Sequence, residues 1–142
     1  MSTALRVLFL NWRDTRHPEG GGSEVYVENV ARSLAAAGHD VTIFCARYPG
    51  AKAEERVDGV RFVRAGTKLS VYAEAVRRVR RKEFGDLDVI IDVQNGIPFM
   101  SRAVAQGTPV VVLVHHVHRE QWPVVYLLEM LVQPGCRLIG QT

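Results

Sequence analysis

Val7-Leu8-Phe9-Leu10, Gly20-Gly21-Gly22-Ser23-Glu24 and Gly38-His39-Asp40-Val41 are the three stretches whose order decides the fold. The first has the length and apolar character of a strand, the second is a glycine-rich loop, and the third closes a helical pattern. Between them Val27, Val30, Ala31, Leu34 and Ala35 recur at the spacing of a single apolar stripe, with Glu24, Glu28 and Arg32 expected on the opposite, wet face. Ser23 is the expected N-cap, Glu24 suits the positive end of the helix, and Gly38 supplies the left-handed residue that stops it. A strand, a glycine loop and a helix in one unit make an anion site. Glycine lets backbone N–H groups approach a ligand, and the helix aims its unpaired N–H groups at the same spot.

The pattern continues along the chain. Val41-Thr42-Ile43-Phe44-Cys45 is a β-branched, aromatic strand closed by Tyr48-Pro49-Gly50. Val57 to Arg64 alternates about a turn, as a strand near the sheet edge would. Leu69, Tyr72, Ala73, Val76 and Val79 mark a second amphipathic helix, with Arg77, Arg78, Arg81 and Lys82 on its polar surface and Arg80 bordering the stripe. Asp88 to Val93 reads as a strand, Pro98 to Ala105 as a short helix, and Val110 to Val114 as a strand apolar on both faces. This alternation predicts an α/β fold with a doubly wound, mainly parallel sheet of Rossmann-like type. In such a sheet the strand exits share one edge, so Asn11 to Gly22, Asp92 to Asn95 and His115 to His118 should converge there.

Composition sets bounds. A chain of 142 residues with 47% hydrophobic and 23% charged residues fits one globular domain, and a net charge of +3 is too mild to argue for nucleic acid. Cys45 and Cys136 lack metal-ligand spacing, and no secretory leader precedes the first strand, so a reducing, cytoplasmic setting is expected. The longest apolar runs fall far short of the ~20 residues that cross a bilayer.

Two nucleotide-binding readings fail on the residues. The dinucleotide fingerprint needs a third glycine where Val25 stands, and the second strand ends Cys45-Ala46-Arg47 without an acid for a ribose. No Gly-Lys-Ser or Gly-Lys-Thr follows the loop, which excludes a Walker P-loop. His115, His116 and His118 invite zinc, but extended chain splits neighbouring side chains and no acid follows at ligand spacing before Glu120. No metal or other cofactor is expected.

The combination of Gly21-Gly22-Ser23-Glu24, Leu34 to Val41, Gln94-Asn95-Gly96-Ile97-Pro98 and Pro109 to His115 resembles the N-terminal half of a GT-B fold, family 4 retaining glycosyltransferase. The resemblance runs from about Leu5 to Trp122. It implies an acceptor-side lobe that closes over a nucleotide-sugar donor held mostly by a second lobe. It implies further that Gly21 and Gly22 approach the donor diphosphate and that His115 touches the transferred sugar at the reacting centre. Trp12, Gln94, Asn95 and His116 would bind a sugar, polyol or lipid-linked acceptor. Arg77, Arg78, Arg81 and Lys82 are candidates for docking on an anionic membrane surface at its inner face, or simply for a solvated helix face. Arg13, Arg16 and His17 leave room for an acidic acceptor.

Residues 123–142 depart from the family pattern, although Val124 to Val132 has the apolar character of a buried helix. The donor-binding lobe with its glutamate pair is not represented, so the chain is expected to be inactive alone, a fragment of a hexosyltransferase. The competing reading is a non-catalytic phosphate- or nucleotide-binding module that acts through a partner.

Overall fold

The computed structural model describes residues 4–95, 97–114 and 138–140. Seven strands form one sheet: β1 (Arg6–Leu10), β2 (Asp40–Cys45), β3 (Glu54–Val57), β4 (Val60–Arg64), β5 (Val89–Gln94), β6 (Val110–Val114) and β7 (Leu138–Gly140). Their spatial order is β3-β4-β2-β1-β5-β6-β7. Every pairing is parallel except β3 with β4. That pair is a hairpin whose loop residues Asp58 and Gly59 both take positive φ, 51° and 80°. Asp-Gly in that conformation matches the twist of the flanking strands. The predicted doubly wound sheet is thus present, with an antiparallel strand on one edge.

The alternation of strand side chains divides the core. Val7, Phe9, Val41, Ile43 and Val93 face helix α1 (Gly22–Ala36), packing on Val27 and Ala31. Leu8, Leu10, Phe44 and Ile90 face the other way, onto Val71, Ala75 and Val79 of helix α2 (Val71–Arg80). A strand buried on both faces is almost continuously apolar, as β1 and β2 are. β1 is the central strand; β6, the Val110–Val114 run that reads as apolar on both faces and so suits the middle of a parallel sheet, lies next to last instead, with Val110, Val111 and Leu113 only partly buried.

Several local expectations change. The N-cap of α1 is Gly21, and Ser23 lies inside the first turn, where its hydroxyl donates to Glu24 Oε1 at 3.0 Å. Glu24 itself bonds the Gly21 N–H at 2.7 Å and so fills the capping role Ser23 was expected to play. At the far end Gly38, φ 96°, donates to Ala35 O and His39 to Leu34 O, the paired bonds of a Schellman stop. Glu24 and Glu28 are buried instead of wet, at 0% and 6% exposure. Helix α2 buries Val71, Ala75 and Val79, while Ala73 is exposed and Leu69 stands outside the helix with 85% of its surface open. Pro98 to Ala105 yields only a 3-10 turn over Ser101–Ala103, because Met100 sits at φ 55° and breaks helical continuity.

The edge where the parallel strands end is held by a buried ion pair. Arg64, the last residue of β4, donates through Nε to Asp14 Oδ2 at 2.8 Å, and both side chains are fully buried. Its guanidinium also meets Glu55 at 2.8 Å and the Lys52 carbonyl at 3.0 Å. Burial alone would lower its pKa, but the bonds from Asp14 and Glu55 override this and hold it above its ordinary value. Asp14→Ala would leave the buried Arg64 cation with Glu55 as its one carboxylate partner among the described residues. Urea denaturation of that variant is expected to show a loss of about 3–5 kcal/mol; a loss within experimental error would remove the pair from the architecture.

Candidate sugar-transfer site

The order of strands defines where a ligand belongs. From β1 the chain winds outward through β2 and β4 on one side, and β5, β6 and β7 lie on the other. The switch point is therefore between β1 and β5, and ligands of such sheets collect in the crevice beyond the strand ends there. At that place Asn95 Nδ2, just past β5, donates to Asn11 Oδ1, just past β1, at 3.2 Å. Two of the three expected clusters thus meet. β6 ends at Val114, in register with Gln94, so its C-terminal end reaches the same edge. His115, His116 and His118 lie outside the described residues.

Three consecutive residues after β1 fix the loop that leads to the glycines. Arg13 Nε binds Glu24 Oε1 at 3.2 Å, Asp14 turns the other way to Arg64, and Thr15 returns to Glu28 through its N–H at 2.8 Å and hydroxyl at 2.9 Å. Burial pushes the Glu28 carboxyl above its ordinary pKa, with the Thr15 bonds opposing the rise and the Asp14 charge adding to it. Asp14 also accepts the His17 N–H at 3.0 Å, and His17 O accepts the Gly20 N–H at 2.8 Å. The loop is thus bonded at almost every step.

The glycines then differ in purpose. A Cβ on Gly20 would lie 2.8 Å from the Asp14 carbonyl and 3.1 Å from those of Thr15 and His17, so the packed loop requires glycine there. A Cβ on Gly22 would meet nothing within 4 Å, and the fold gives no packing reason for glycine at that position. Gly21 is extended and its N–H is committed to Glu24, which leaves the N–H groups of Gly22 and Ser23 at the helix start without intrahelical partners.

The remaining expected residues divide. Trp12 is half-buried against the core, with the Arg13 guanidinium 4.0 Å and Lys68 Nζ 5.1 Å from its ring centre, so cations already lie against the indole. Gln94 is buried at the end of β5. Asp92, grouped with Gln94 and Asn95 by the sequence, does not serve a ligand: it is fully buried and accepts the Phe99 N–H, the Ser101 N–H and the Ser101 hydroxyl at 2.9, 3.2 and 2.9 Å. Arg13 and Arg16 are likewise engaged, by Glu24 and Glu19 and by Glu55. Arg77, Arg78, Arg81 and Lys82 sit at the C-terminal end of α2, toward the opposite edge of the sheet. Arg77 and Arg78 there pair with Glu74 at 2.6 and 3.4 Å.

A cavity of about 410 Å³ opens at that opposite edge, lined by Lys82, Asp86, Asp88, Gln106 and Thr108 among others, and is remote from the switch point. Burial, then the Asp14 charge, pushes the Cys45 thiol well above its ordinary value, which makes it a poor nucleophile. Among the described residues no cluster of histidine, cysteine and acidic side chains could hold a metal, and no helix is long and apolar enough to cross a membrane.

An α/β sheet with this switch point and an open glycine at a helix start is a Rossmann-like lobe. The sequence profile described as Glycosyltransferase Family 4 matches residues 20–139, and the chain belongs to that family. The match begins later than the likeness read from the sequence and runs past Trp122. Among solved structures, sucrose-phosphate synthase from Thermosynechococcus elongatus superimposes with a TM-score of 0.59 at 18% identity, over 93% of this chain and 41% of that one. The chain therefore spans about two fifths of that protein's length. No curated protein matches it.

Two predictions follow from the loop. Gly20→Ala is expected to lower the thermal midpoint by several degrees, of the order that 1 kcal/mol produces in a domain this size, whereas Gly22→Ala leaves it unchanged; equal effects would refute the division of roles. Glu28 has a raised folded-state pKa, so the folded chain takes up a proton as pH falls and gains stability from that group. Wild type should accordingly gain on Glu28→Gln as pH drops from 7 toward the ordinary carboxylate range, read as the difference between their urea midpoints.

Proposed function

We propose that this chain is the acceptor-side lobe of a retaining glycosyltransferase that moves a sugar from a nucleotide-sugar donor to a hydroxyl of a sugar, polyol or lipid-linked acceptor. The observation that carries the reading is Gly22: a glycine the fold does not need, at the start of a fifteen-residue helix beside the switch point. A missing side chain there lets a diphosphate come close to backbone N–H groups, which stabilise the charge that grows as the nucleotide departs. Gly21 contributes its lack of a Cβ rather than its N–H, since Glu24 holds that hydrogen. Gln94 ends β5 and Asn95 follows it on the acceptor side, with Trp12 next to Asn11, whose Oδ1 both the Trp12 N–H and the Asn95 amide donate to. His115, by its likeness to the family, holds the reacting centre. The reaction needs no metal on this reading, and the enzyme works in the cytoplasm. Among the basic residues of the α2 end, Arg81 and Lys82 have no carboxylate partner within the described residues and are the stronger candidates for an anionic membrane surface.

The isolated chain, incubated with uridine-, guanosine- and adenosine-diphosphate sugars and a panel of polyol acceptors, is expected to give no turnover above background. Robust transfer would overturn the two-lobe account. In an enzyme carrying both lobes, His115→Ala should lower turnover by about 10²-fold, in the range of lost transition-state hydrogen bonds; unchanged turnover would remove His115 from the mechanism.

A further inference from the structure

The two asparagines at the switch point are oriented by a chain of donors that admits one solution. The Trp12 backbone N–H can only donate, and it points at an Asn11 side-chain atom 3.0 Å away, so that atom is the carbonyl oxygen Oδ1. The Asn95 atom facing the same oxygen, 3.2 Å away, must then be the amide nitrogen Nδ2. Asn95 is left presenting its own Oδ1, a buried acceptor with no hydrogen-bond partner among the described residues. Asn11 is 1% exposed and its N–H bonds the Phe44 carbonyl at 3.0 Å, so it is locked into the sheet and cannot swing to relieve its neighbour. A buried carbonyl oxygen without a donor is uncommon and calls for one.

We propose that Asn11 is a positioning residue that fixes the Asn95 carboxamide with Oδ1 as the open acceptor of the switch point, and that this oxygen receives a hydroxyl of a neutral sugar or polyol acceptor. The inference rests on the acceptor-lobe reading and adds to it the polarity of the group recognised. An O–H donor satisfies Oδ1, whereas ionised phosphate and carboxylate oxygens only accept and are repelled by it. The oxygen is covered in the unliganded chain, so the hydroxyl reaches it with a local shift of the side chains around it. A carboxamide is far too weak a base to take the proton; its contribution is to orient the hydroxyl.

The test uses the ¹⁵N-labelled 142-residue chain, methyl α-glucoside and inorganic phosphate. Before any ligand is added, a nuclear Overhauser contact between the Trp12 N–H and the Asn95 side-chain amide protons is expected in wild type and in Asn11→Asp, which keeps an accepting oxygen, and not in Asn11→Leu. On titration, the glucoside should shift the Asn95 side-chain resonances, and phosphate should shift only the Gly22 and Ser23 amides. Asn11→Leu should weaken glucoside binding about tenfold, as the loss of one hydrogen bond would, with Asn11→Asp within about twofold of wild type. If Asn11→Leu fails to fold, Asn95→Leu takes its place and should lose the same affinity. Glucoside affinity unchanged in the leucine variant, phosphate shifting Asn95, or no glucoside shift at the solubility limit would each overturn the proposal. Loss of the glucoside response with the phosphate response intact sinks this inference alone; loss of both sinks the lobe assignment as well.

Discussion

A guanidinium removed from water at the end of β4 is the constraint around which the functional edge is arranged. Arg64 cannot be left alone there, because an unpaired buried charge is among the costliest features a fold can contain. Asp14 and Glu55 answer it from two directions, and the Lys52 carbonyl takes a further N–H. Such a pair adds little net stability, since desolvation of both ions offsets most of their attraction. Its effect is positional. With Asp14 tied to the sheet, Arg13 and Thr15 on either side are turned toward α1, and the two buried glutamates of that helix meet them. Sheet, loop and helix are thereby clamped together by three adjacent residues, and the glycines emerge at a defined place.

That clamp explains how an edge built from distant stretches becomes one surface. Crossover connections in a parallel sheet bring every strand out at the same rim, but they do not by themselves order the loops. Ordering comes from polar groups that had to be satisfied: Asp92 tying Phe99 and Ser101, Asp14 tying His17, Asn11 tying Asn95. The apolar core below supplies the driving force, and these bonds supply the register. The basic end of α2 is about one helix length away, ~15 Å for ten residues at 1.5 Å each, so a membrane contact there would orient the lobe without touching the chemistry.

The strands were legible because their alternation and β-branching are local properties; Asp58-Gly59 marked the turn near the sheet edge, but the edge strand Glu54–Val57 was not read, and Val60–Arg64 is largely buried one place in from it. The central position of β1 was not legible either, since strand order depends on crossovers that no single segment encodes. Glu24 and Glu28 are the instructive error. The helical period itself places Glu24 three residues before Val27 and Glu28 three before Ala31, on the buried stripe, yet their charge suggested water. What could not be seen in the sequence was that Arg13 and Thr15 would arrive to partner them. Asp92 misled for the converse reason: a carboxylate at a strand end looks available until the backbone that follows folds back onto it. Gly20 and Gly22 were indistinguishable as letters, and only the carbonyls around Gly20 separate a glycine the loop requires from one it merely permits.

The proposed phosphate contact at the start of α1 already contains an anion, which needs justification. The Glu24 carboxylate lies at the N-terminus of α1, takes the Gly21 N–H, and is neutralised by Arg13 rather than by solvent. It therefore uses part of the helix's positive end before any substrate arrives. What remains are the N–H groups of Gly22 and Ser23, so on the proposed function they would stabilise only part of the charge of a departing nucleotide. A lobe built this way holds its loop rigid at the expense of anion affinity. On the proposed two-lobe reading, that balance suits a surface that meets its phosphate only when a second surface brings it, and weak intrinsic binding would follow from the loop's own architecture.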